Sequence, residues 1–74
     1  MITMQYAVIF EKTRTGYSAH APDLPGCVAA GPTLAATRKL MREAIALHLA
    51  GMKEDGIPAP RPTVVAEQIQ VDAA

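Results

Sequence analysis

The apolar positions of this chain change period along its length, and the change divides it into elements. Residues 4–11, "MQYAVIFE", alternate with period two: Tyr6, Val8 and Phe10 share one face, Ala7 and Ile9 the other. A strand apolar on both faces lies centrally or under a second layer. "KTRTG" is a polar turn with Gly16 placed to supply a positive φ, and "YSAHA" resumes as a second strand. "PDLPG" breaks it and "CVAAG" begins a third, giving an antiparallel meander.

From Thr33 the period becomes that of a helix. Thr33 follows Pro32 as an N-cap, and Leu34 to Asp55 ends at Gly56 with prolines beyond. Leu34, Thr37, Leu40, Met41, Ala44, Ile45, His48 and Met52 fall on one side, Arg38, Lys39, Arg42, Glu43 and Lys53 on the other. "GIPAPRP" then runs extended because proline excludes helix. "TVVAEQIQV" predicts a last strand with Val65, Glu67, Ile69 and Val71 on one face. It pairs either with the sheet or with another protomer, and "DAA" frays. The fold class is α+β with the order β-β-β-α-β, in one domain over residues 1–74.

Composition sharpens this picture in two ways. Half of the 74 residues are hydrophobic, but there is no Trp and only three aromatics, so the core is thin. One helix covers one sheet face, which predicts a homodimer or higher homo-oligomer. Seven basic residues balance seven acidic ones, which argues against binding nucleic acid through a broad basic face. The single cysteine forms no intrachain disulfide and fits a cytoplasmic protein. No apolar run reaches the roughly 20 residues of a membrane span.

Candidate chemistry concentrates in "SAHAPDLPGCVAAG", residues 18–31. Pro25 and Gly26 suit the centre of a type II turn between Leu24 and Cys27, with Asp23 bracing the corner through a backbone N–H. That turn sets Ala21 opposite Cys27 and His20 opposite Val28. His20 and Cys27 then point to opposite sides of the sheet, too far apart for a nucleophile and its base. His20, His48, Asp23 and Cys27 are metal-ligand types without the close spacing of a site, so no metal or other cofactor is expected. His48, mid-helix on the apolar side, reads as a hydrogen-bonded core or interface residue. Glu11, Asp23 and Glu43 do not converge, since Glu43 faces away from the sheet. No catalytic residue is assigned.

Longer blocks carry a resemblance. "YAVIFE", "GYSAHAPDLPGCVAAGPTL" and "EAIALHLAGMKEDGIPAPRP" stand in an order and spacing that resemble the HicB family of antitoxins, from Tyr6 to about Val71. The resemblance implies a truncated RNase H-like domain without nuclease chemistry. It implies that the chain neutralises a HicA-like toxin, an mRNA-cleaving ribonuclease, by covering its surface. Asp23, Leu24, Pro25, Gly26 and Cys27 form the family's turn; Tyr17, His20, Leu24 and His48 are the contact candidates for toxin or a second copy. Many relatives add a carboxy-terminal DNA-binding domain. None is read here, so direct nucleic-acid binding is not expected. The alternatives are an orphan homo-oligomer without a toxin and, further off, a vestigial metal-dependent nuclease using Glu11 and Asp23.

Overall fold

A computed structural model describes residues 3–73. Ala74, the end of the expected frayed tail, lies outside the described residues. Strands β1 (Ile9–Lys12), β2 (Tyr17–His20) and β3 (Val28–Gly31) form an antiparallel sheet in the order β1-β2-β3, followed by helix α1 (Leu34–Glu54). The meander is the one expected, and the β2–β3 register is that of the Pro-Gly turn: His20 pairs with Val28, and the Ala21 N–H donates to the Cys27 carbonyl at 3.2 Å; on the other side of β2, His20 pairs with Ile9.

β1 is shorter than the alternation of residues 4–11 suggests. Continuing its register would set Met4–Val8 against residues 21–25, which are spent on two consecutive turns. The Leu24 N–H donates to the Ala21 carbonyl and the Cys27 N–H to the Leu24 carbonyl, both at 3.0 Å. The first half of the expected strand thus has no ladder partner, although Tyr6 and Val8 still pack on the core.

Alternation sends Ala19, Ala21, Cys27 and Ala29 toward α1, and Ile9, His20 and Val28 away from it. The core comprises Ala19, Ala21, Leu24, Cys27 and Met41, with Tyr6, Val8, Phe10, Ala29, Ala44, Ile45 and Leu49 packed around it. It is as thin as the composition implies. Small residues let the layers approach closely: a Cβ on Gly31 would meet Thr37 Oγ1 at 2.9 Å. Thr37 is fully buried, and its hydroxyl is satisfied by donating to the Thr33 carbonyl at 2.7 Å. Leu40, expected on the covered side, lies at the edge of that stripe and is exposed.

Both helix ends follow from their sequence. The Thr33 hydroxyl accepts from the Ala36 N–H at 3.0 Å. At the other end, Gly56 (φ +72°) donates to the Lys53 carbonyl and Ile57 to the Met52 carbonyl, a Schellman motif. Gly16 behaves otherwise than expected. Its φ is not positive; a glycine is required because any Cβ there would overlap the Gly31 carbonyl oxygen.

The fourth strand is the principal departure. Residues 57–73 form no helix or strand. Three of the six prolines and the polar Glu67, Gln68 and Gln70 leave this segment without a covered face of its own, and Val65 and Ile69 remain 80% exposed. The radius of gyration, 14.2 Å, exceeds the about 11 Å of a compact chain of this length. The extended closing segment lengthens the molecule, whose extents are 51 × 26 × 21 Å.

Candidate binding surface

The corner between β2 and β3 is built as the sequence specifies. Pro25 supplies a fixed φ, Gly26 takes φ +82°, and the Leu24–Cys27 hydrogen bond closes a type II turn. The corner drives Leu24 inward, where it is 1% exposed. This corrects its place among the contact candidates: its side chain fills the chain's own core and has no surface to offer. Cys27 is buried beside it, and loss of hydration raises its thiol pKa. A buried, protonated thiol is a poor nucleophile. Cys27 in the folded chain will therefore react with an aromatic disulfide reagent only as fast as the chain opens. Reaction complete within the mixing time would contradict that placement.

Asp23 does something other than brace its own turn. Its carboxylate accepts from the Thr63 N–H at 3.0 Å, the Thr63 hydroxyl at 2.7 Å and the Val64 N–H at 3.0 Å. It thereby clamps the segment that follows the prolines, and a second tie runs from the Tyr6 hydroxyl to the Pro60 carbonyl at 2.6 Å. No local pattern announces a partner forty residues away. The Thr63 hydroxyl, then the Val64 and Thr63 N–H groups, hold the Asp23 pKa below its ordinary value. The sign follows: the clamp's stabilisation is full above the unfolded pKa and is lost as pH falls through the lower folded one. Asp23→Ala removes both acceptor oxygens. It should release the Val64 amide to rapid hydrogen exchange with little change in the melting of the sheet. Protection retained in the variant would refute the clamp.

The remaining candidates do not meet on one surface. His20 is exposed on the sheet face opposite α1, in a cross-strand row with Ile9 and Val28. Tyr17 is half-buried on the other face, paired with Lys12 and Gly31. His48 is half-buried on α1. Among the described residues no three His, Cys, Asp or Glu side chains gather into a metal-binding group, and no helix is long and apolar enough to cross a membrane. Sequence reasoning missed an open groove between Met4–Phe10 and α1, lined by Met41 and Ile45 and rimmed by Arg38 and Arg42. The signal was present in the two arginines four apart beside an apolar stripe.

A three-stranded meander under one capped helix, with a rigid Pro-Gly corner and apolar surface left open, defines a small α+β binding domain. Residues 6–73 match the HicB-like antitoxin of bacterial toxin–antitoxin systems, and the chain belongs to that family. A 14.9 kDa protein from the rep-hol intergenic region of Haemophilus phage HP1 is 38% identical over 66 residues, 89% of this chain and 50% of the phage protein. The chain thus spans about half the length of that relative. A chain of the HicA3 and HicB3 toxin–antitoxin complex superposes with a TM-score of 0.68 at 35% identity, covering 80% of this chain and 70% of that one. The crystal structure of antitoxin HicB3 gives a TM-score of 0.67 at 37% identity, over 77% of this chain and 42% of the other.

Proposed function

We propose that this chain is an antitoxin that neutralises a HicA-like, mRNA-cleaving toxin by forming a protein complex with it in the cytoplasm. The observation that carries the reading is the likeness of most of the chain, at 35% identity, to a chain of a HicA3 and HicB3 toxin–antitoxin complex. The site geometry supports a binding role without catalysis. His20 and Cys27 lie on opposite faces, and Cys27 is buried. The row of half-buried Ile9 with exposed His20 and Val28, an apolar strip with one hydrogen-bonding side chain, is the surface we assign to toxin contact. Tyr17 and His48, half-buried, are assigned supporting roles at its margins or at a contact between copies.

The test is direct inhibition in solution. Purified toxin of the HicA type, sought beside this chain's gene, is assayed for cleavage of a defined RNA while the chain is titrated in. Cleavage should fall to background near stoichiometric addition. Val28→Asp should weaken inhibition, whereas Leu47→Asp, on the exposed outer side of α1, should not. Undiminished cleavage at a large excess of the folded chain would refute the reading.

A further inference from the structure

The face of the sheet toward α1 is covered only in part. Met4, Tyr6, Val8 and Phe10 alternate onto one side of residues 4–10, and with Met41 and Ile45 they line an open groove of about 390 Å³. Small-molecule sites have volumes of roughly 300–1,000 Å³. The helix sets the length of the groove: from Arg38 to Ile45 it advances about 10 Å at ~1.5 Å per residue.

The closing segment does not fill this space. It runs along the outer edge of residues 4–10, where the Tyr6 hydroxyl donates to the Pro60 carbonyl at 2.6 Å. Arg61 and Pro62 lie by Met4 and Gln5, and residues 66–68 by residues 8–10. That edge is therefore closed to an added strand, and the groove opens on the other side, against α1.

The rim defines the chemistry of the occupant. Arg38 and Arg42 stand on it four residues apart, both exposed, and like charges at that spacing on a helix repel. No position three or four residues from either arginine is acidic, and among the described residues no carboxylate lines the groove. Glu67 borders a neighbouring hollow with Arg38, but Arg42 does not reach that hollow. The Tyr6 hydroxyl is already committed to Pro60. An extended peptide would bring N–H and C=O groups that these apolar side chains cannot satisfy. A hydrocarbon chain brings none, and a single anionic head can accept from both guanidinium groups.

We propose that the groove binds a small anionic amphiphile, a hydrocarbon chain of medium length that ends in a carboxylate. The chain lies on Val8, Phe10, Met41 and Ile45, and the carboxylate is held by Arg42 with Arg38 beside it. The site is on the α1 side of the sheet, away from the row of Ile9, His20 and Val28. It does not rest on the antitoxin reading.

Octanoate is the probe, titrated below micelle formation into the isotope-labelled full chain and followed by NMR. Saturable shifts should be confined to the groove residues, with a rise in Tm. Butanoate, four CH₂ groups shorter, should bind at least about tenfold more weakly, and so should octanol, which lacks the charge. Arg42→Glu should raise the dissociation constant for octanoate at least about tenfold. Lys39→Glu makes the same charge change at an exposed position off the groove and should leave it unaltered. Both substitutions are at exposed positions, so circular dichroism should show the parent fold. No saturable shift at millimolar octanoate, shifts spread over the surface, or equal losses in the two variants would each overturn the proposal. So would indifference to chain length or head group, or tighter occupation of the same residues by an acidic amphipathic helical peptide.

Discussion

Leu24→Ala will cost about 2–5 kcal/mol of stability, the range for truncating a fully buried leucine. Leu24 is the largest of the fully buried side chains, together with Met41 and Thr37. It is the one that joins the corner to the helix layer. A domain of this length holds only roughly 4–11 kcal/mol in total. The variant should therefore lose a large part of its urea midpoint, or show no cooperative transition at all. If Leu24 were instead a contact residue, as the sequence suggests, Leu24→Ala would unfold like the parent chain and lose only its partner.

Gly16→Ala will destabilise by about 1–3 kcal/mol through overpacking. The added methyl would overlap the Gly31 carbonyl oxygen and lie 2.8 Å from Pro32 Cα, both backbone atoms that cannot step aside alone. The turn between β1 and β2 is further fixed by Thr13, whose N–H donates to the Gly16 carbonyl and whose hydroxyl accepts from the Gly16 N–H. Gly26 is the contrast. Nothing lies within 4 Å of its missing Cβ, and only its φ of +82° calls for glycine. Asparagine tolerates that left-handed region, so Gly26→Asn should unfold near the parent midpoint in urea while Gly16→Asn does not. Equal losses at the two sites would refute the distinction.

The two glycines show what a sequence discloses. Gly26 was legible because its role is local: Pro-Gly specifies a turn type, the turn fixes the register, and the register separates His20 from Cys27. Gly16 was misread because its constraint is tertiary, the close approach of a turn to the end of β3. The same division runs through the other elements. Thr33 and Gly56 act on backbone groups within a few residues, and both caps form as the sequence predicts. The length of β1 depends on where β2 turns away, and Asp23 on a segment forty positions downstream; neither has a local signature.

The candidate site was legible to a lesser degree. The family's turn stands out as a block of five residues, Asp23 to Cys27, but its conspicuous side chains serve the fold. Leu24 and Cys27 build the core, and Asp23 holds the closing segment. Burial removes the first two from any surface; for Leu24 the period-two reading could not foresee it, because Leu24 belongs to the turn. His20, by contrast, is where alternation puts it. The closing segment was read as a strand from its alternation, but residues 57–73 form none, and side-chain ties from Asp23 and Tyr6 hold it in place of a ladder.

Growth under co-expression tests the central claim most directly. A HicA-type toxin gene, sought beside the gene of this chain, is induced with and without this chain in the same cells, and colony formation is counted. The account predicts that toxin alone arrests growth and that the intact chain restores it, with Leu24→Ala failing in proportion to its lost stability. Continued arrest, with this chain shown to be folded and in excess of the toxin, would contradict it.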